Sequence, residues 1–181
     1  MNQDPTAQPP ADLGKSPDPG KTPEPGKPAD RIFLVVIDDS PEMRVALRYA
    51  SRRARKTGGR VAMLHVVDDA DFREFVGVAA VMREESRQQA ETLVQKMASE
   101  VQKLSGAMPV LFLREGKRRD ELLKLIAEEP SISILVLGAS TNPKGPGPLV
   151  TALTGAFVSK LRIPITIVPG SLTDEQIENI A

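Results

Sequence analysis

Five short apolar runs, each followed by an amphipathic or turn-rich stretch, constrain this chain more than any other feature of its sequence. Ile32-Phe-Leu-Val-Val-Ile37 is uninterrupted and largely β-branched, the pattern of a strand covered on both faces of a parallel sheet. Val61 to Val67, Pro109 to Leu113, Ile132 to Leu137 and Ile165 to Val168 repeat the theme. Between them lie helical patterns. Ser40-Pro41 supplies a cap and a first-turn proline, and Met43, Ala46, Leu47, Ala50 and Ala54 follow on one face until Gly58-Gly59. A second helix is expected from about Met82 to Leu104, a third from Arg119 to Glu128 before Pro130, and a fourth from Leu149 to Leu161, with Leu153, Phe157, Val158 and Leu161 inward. Alternation of this kind predicts an α/β domain: a five-stranded parallel open sheet with helices on both faces, flavodoxin-like or a close relative.

The ends differ from the middle. Residues 1–30 hold half of the 16 prolines and few large apolar side chains, too little burial to offset the entropy of ordering. They are expected to form a disordered tail, with a repeat running Gly14-Lys-Ser-Pro-Asp-Pro19, Gly20-Lys-Thr-Pro-Glu-Pro25. The domain is expected over 31–170, and a short helix over 171–181 opens on the capping-box pattern Thr173-Asp-Glu-Gln176. That helix is expected to leave Ile177 and Ile180 exposed on one side, available to the fifth strand or a partner subunit.

Charge and composition narrow the function. Lys+Arg and Asp+Glu balance at 24 each, so no strong field favours nucleic acid or an anionic membrane. Aromatics are 3% and Trp is absent, which removes a stacking platform for single strands. No apolar run reaches membrane-spanning length, and the start lacks a basic-then-apolar signal. The absence of cysteine fits a reducing compartment, and a cytoplasmic location is expected. The sole histidine, His65, lies in a strand with no nucleophile motif near it and reads as structural. No nucleophile elbow, paired metal-binding histidines or complete phosphate loop is present, so no enzyme is expected.

In open parallel sheets, ligands bind beyond the carboxyl ends of the strands, where strand order reverses. That places Asp38, Asp39 and Ser40, then Val67, Asp68 and Asp69, then Glu115-Gly116, and finally the segment Gly138 to Gly147 at the candidate site. Asp38, Asp39, Asp68, Asp69 and Asp71 offer oxygen ligands for magnesium, yet acids at helix starts also answer the helix dipole; only Asp38 is retained as a site residue. A phospho-receiver reading lacks both the aspartate after strand three and the lysine after strand five. Arg44, Arg48, Arg52, Arg55 and Lys56 form a basic face on the first helix, expected to be solvated.

Val35-Val-Ile-Asp-Asp-Ser40, Leu64-His-Val-Val67, Glu115-Gly116, Ile134-Leu-Val-Leu-Gly138 and Ile163-Pro-Ile-Thr-Ile-Val168 together resemble the universal stress protein domain, from about Arg31 to Gly170. The resemblance implies an adenine nucleotide alpha hydrolase-like sheet and a homodimer joined through the last strands, here Ile165 to Val168. It implies two branches, one binding ATP and one not. Binding members carry Gly, two residues, Gly, nine residues, then Gly with Ser or Thr. Here the motif falls on Gly138, Thr141, Thr151 and Ala152, so only the first position is kept. Lys144, Gly145 and Gly147 offer an alternative anion loop. Asp38 and Val66 or Val67 hold the positions that contact nucleoside and base in binding members. The expected function is a dimeric stress-response module working through an unknown protein partner, with weak or no ATP binding. The alternative is an adenine-nucleotide-binding switch, with magnesium only if nucleotide binds.

Overall fold

The structure, a computed structural model, describes residues 31–67 and 79–181. The expected tail at 1–30, together with Asp68, Asp69 and Asp71, lies outside the described residues. The elements are β1 (Ile32–Val36), α1 (Pro41–Thr57), β2 (Arg60–Val67), α2 (Ala79–Ser105), β3 (Val110–Glu115), α3 (Arg118–Glu128), β4 (Ile132–Ala139), α4 (Pro148–Thr154), β5 (Ile165–Pro169) and α5 (Asp174–Ile180). The strands form one parallel sheet in the order β3-β2-β1-β4-β5. Strand order therefore reverses between β1 and β4.

All five residues of β1 are buried, because successive side chains feed two different cores. Phe33 and Val35 join Met43, Leu47, Met63 and Met97 beneath α1 and α2. Leu34 and Val36 join Leu64, Leu122, Leu135 and Leu153 beneath α3 and α4. The helix α1 starts where expected: Ser40 Oγ accepts from the Met43 amide at 3.2 Å, Pro41 occupies the first turn, and Gly58 ends the helix at φ +67°. Its buried face adds Ser51, whose hydroxyl donates to the Leu47 carbonyl at 2.7 Å. Tyr49 packs half-buried against the α1/α2 core.

Three expectations are corrected. The helix expected over Leu149 to Leu161 ends at Thr154, and only a 3-10 turn, Val158–Lys160, follows. Gly155 ends the helix by leaving helical dihedrals, at φ −102° and ψ −115°, a departure that glycine makes at little steric cost; Val158 is consequently exposed rather than inward. The C-terminal helix keeps its capping box, with Thr173 Oγ1 accepting from the Gln176 amide and Gln176 Oε1 from the Thr173 amide. However, Ile177 is 0% exposed while Ile180 is 54% exposed, and α5 packs on α1 rather than on β5. Arg48, Arg52 and Lys56 are thereby drawn into contacts with Asp174 and Glu178, so the basic face is not simply solvated.

The end of α3 is held by a residue far along the chain. Arg162 donates to the carbonyls of Ile126, Ile132 and Glu129, satisfying acceptors at a helix terminus and the turn after it. Arg162→Ala is expected to cost about 2 kcal/mol, read as a lower urea midpoint; an unchanged midpoint would make the fork incidental.

Candidate functional site

Past the carboxyl ends of β1 and β2 lies a cleft of about 310 Å³. His65, Val66 and Val67 line it from β2, Ser86, Gln89, Ala90 and Leu93 from α2, and Asp39 and Arg118 from its mouth. A second hollow, about 590 Å³, lies against the loop after β4 and is lined by Glu42, Lys144, Gly145, Gly147 and Thr151 among others. The two stand on either side of the β1–β4 switch point, where the topology places ligand sites.

Asp38 is committed locally. One carboxylate oxygen accepts from the Ser40 amide at 2.9 Å and the Ser40 hydroxyl at 2.6 Å, while the other faces Arg118 Nη1 at 3.6 Å. Ser40 thus serves both as helix cap and as partner of Asp38. Asp39, read from sequence as a helix-start acid, is the acid that lines the cleft. Val67 is half-buried on its floor, while the Val66 side chain is buried in the core beneath α3 and α4. The Nδ1–H of His65 donates to the Ile37 carbonyl at 2.9 Å, since a carbonyl can only accept; the ring is anchored structurally and also borders the cleft.

Gly138 lies inside β4, and a Cβ there would stand 2.2 Å from the Glu42 carbonyl oxygen. The glycine lets the start of α1 press onto the sheet. Thr141 is exposed in the following loop, and Thr151 is internal to α4, its hydroxyl donating to the Gly147 carbonyl at 2.9 Å. The loop is folded on itself. Ser140 N–H donates to Pro146 O, Asn142 N–H to Ser140 Oγ, Lys144 N–H to Asn142 Oδ1 and Gly145 N–H to Asn142 O, at 3.0–3.2 Å. Gly145 and Gly147 take φ of +119° and +105°, which lets the chain turn this tightly.

The structure brings Val66 and Val67 together with Asp39 and Arg118, and separately gathers Lys144, Gly145, Gly147 and Thr151. Arg118 was not singled out by sequence reasoning. Within Lys117-Arg118-Arg119 nothing marks the middle cation, and only its position in the first turn of α3 opposite Asp38 distinguishes it. Glu115-Gly116 sits beside a charge cluster in which Glu121 meets Arg114 and Lys124; the hydrogen bond and charge of Glu121 hold the Lys124 ammonium above its ordinary pKa. Among the described residues no group of three His, Asp or Glu side chains converges on a metal position.

The sequence profile described as the universal stress protein family matches residues 31–169. The chain belongs to the universal stress protein family. Its fold is similar to that of the universal stress protein UspA from Lactobacillus plantarum, with a TM-score of 0.66 and 17% identity, covering 78% of this chain and 99% of that one. It is also similar to a universal stress protein family member from Burkholderia pseudomallei, at TM-score 0.60, 19% identity and coverage of 80% and 99%. A third similar structure is the universal stress protein from Archaeoglobus fulgidus in complex with dAMP, at TM-score 0.51, 18% identity and coverage of 76% and 95%. No curated protein sequence matches the chain. In this universal stress protein the cleft sets Asp39 and Arg118 beside His65, Ser86 and Gln89, a set suited to a small polar ligand. No helix of the described residues is long and apolar enough to cross a membrane.

Proposed function

We propose that this universal stress protein is a cytosolic, dimeric stress-response module that acts through protein interaction, with weak or no ATP binding, and that it is not an enzyme. The observation that carries this reading is the closed loop after β4. Phosphate recognition by backbone needs amides that point outward, whereas those of Ser140, Asn142, Lys144 and Gly145 donate within the loop. Thr141 and Thr151 add side chains at the motif's glycine positions, and Glu42 borders the same hollow. On the nucleoside side, a ribose would have to displace Ser40 or Arg118 from Asp38. Dimerisation through β5 is supported by its place at one end of the sheet, where Ile167 is 40% exposed, because an open edge invites pairing.

A second reading, an adenine-nucleotide-binding switch with magnesium carried by the nucleotide, is favoured by the cleft over Val66 and Val67. The fold's likeness to the Archaeoglobus fulgidus protein in complex with dAMP agrees with it. Calorimetric titration with ATP and AMP, with and without magnesium, separates the two. No heat at millimolar nucleotide is expected. Micromolar affinity abolished by Asp38→Ala would replace the first reading with the second.

A further inference from the structure

We propose that the face of α1 now covered by α5 is a docking groove for an acidic amphipathic helix of another protein, and that α5 is its built-in substitute. The groove's cations recur every four residues, at Arg48, Arg52 and Lys56, and so share one side of α1. Asp174 and Glu178 on α5 carry the matching spacing. Arg48 pairs with Asp174, Arg52 Nε lies 2.8 Å from Glu178 Oε2, and Lys56 Nζ donates to the Glu178 carbonyl at 3.1 Å. Between the two acids Ile177 is wholly buried. The occupant's chemistry is thereby written out: an aliphatic side chain with a carboxylate three residues before it and another directly after.

The plug depends on its docking, since its own helix would not persist once released. It has seven residues, fewer than the roughly 12 that an isolated helix needs to persist in water. Its acids remain 74% and 51% exposed, and ion pairs so open to solvent hold little. The ion pairs stop at Arg48, yet Arg44 continues the row one turn further and is exposed, so a longer acidic helix engages a cation that α5 leaves alone. The groove lies within the family-matched residues, which end at 169, whereas α5 lies beyond them. A tethered helix competes at high effective concentration, which makes partner binding conditional on its release.

This inference deepens the interaction reading by naming a surface and a partner class; tight ATP binding would sink that reading without touching the peptide result. The test uses the full chain and a fluorescein-labelled peptide copying residues 172–181. Ile177→Asp is expected to bind the peptide at least tenfold more tightly than the unaltered chain, with affinity falling as salt rises and lost when Arg48→Glu and Arg52→Glu are added. Equal binding by both chains, or none by a folded Ile177→Asp, overturns the proposal. Should Ile177→Asp fail to fold, hydrogen exchange on the unaltered chain decides: α5 amides exchanging at least a hundredfold faster than those of α1 support the release, and equal protection overturns it. Fewer associated copies for Ile177→Asp than for the unaltered chain assign the groove to a second copy's α5 and overturn a separate partner.

Discussion

Gly138→Val is expected to lower the unfolding temperature by on the order of 10 °C, with or without nucleotide present. A side chain at this position meets backbone, with the Glu42 carbonyl oxygen 2.2 Å from the new Cβ, and backbone cannot rotate out of the way. Relief requires α1 to lift from β4, which loosens Met43, Ala46 and Leu47 together in the α1/α2 core. A loss of about 3 kcal/mol or more follows. The measurement also tells apart two roles for this glycine. A residue kept for phosphate would show a weakened affinity and an unchanged melting curve; a residue kept for packing shows the reverse. Gly170 makes a similar approach, with a Cβ placed 2.8 Å from the Ala139 carbonyl oxygen and 2.9 Å from Glu42 Cβ, so the start of α1 is seated against two glycines, one in β4 and one in the turn that follows β5.

Leu135→Ala is expected to cost about 3 kcal/mol, read from urea unfolding. Leu135 is fully buried in β4 and belongs to the α3/α4 core, where its removal leaves a cavity that β4, paired with a strand on each side, cannot close. The same truncation at Leu113, 40% exposed on the outer strand β3, is expected to change stability by no more than about 0.5 kcal/mol. Equal losses at the two positions would show that the edge of the sheet is packed against something in solution.

The sheet was legible because parallel strands buried on both faces leave long apolar runs, and β1, β2 and β4 are such runs. The helix α1 was legible for a separate reason, since Ser40, Pro41 and Gly58 punctuate it at both ends. Where two local signals disagreed, the reading went astray: the periodic Leu153, Phe157 and Leu161 favoured one continuous helix, while Gly155 spoke for the break that occurs. The packing of α5 was harder, because burial of Ile177 depends on a surface supplied by α1. A signal existed, in cations at 48, 52 and 56 facing acids at 174 and 178, but matched spacing on two helices identifies a pair only after both are suspected to touch. Of the residues that line the cleft, Val67 was named from its place at the end of β2 and Val66 through the family resemblance. Arg118 was not, because its meaning comes from Asp38 across the sheet and not from its neighbours in the chain.

The core is largely aliphatic, and the sequence contains no Trp and one Tyr. That tyrosine, Tyr49, sits on α1 against the α1/α2 core. The protein therefore carries a single near-ultraviolet phenol, placed in one layer of the fold and on the helix that also bears Arg48 and Arg52. A shift in its absorbance or emission reports events in that layer, while rearrangements confined to α3 and α4 leave it dark. A partner seated on α1 and a ligand held against the loop after β4 thus have different optical signatures in the unlabelled chain.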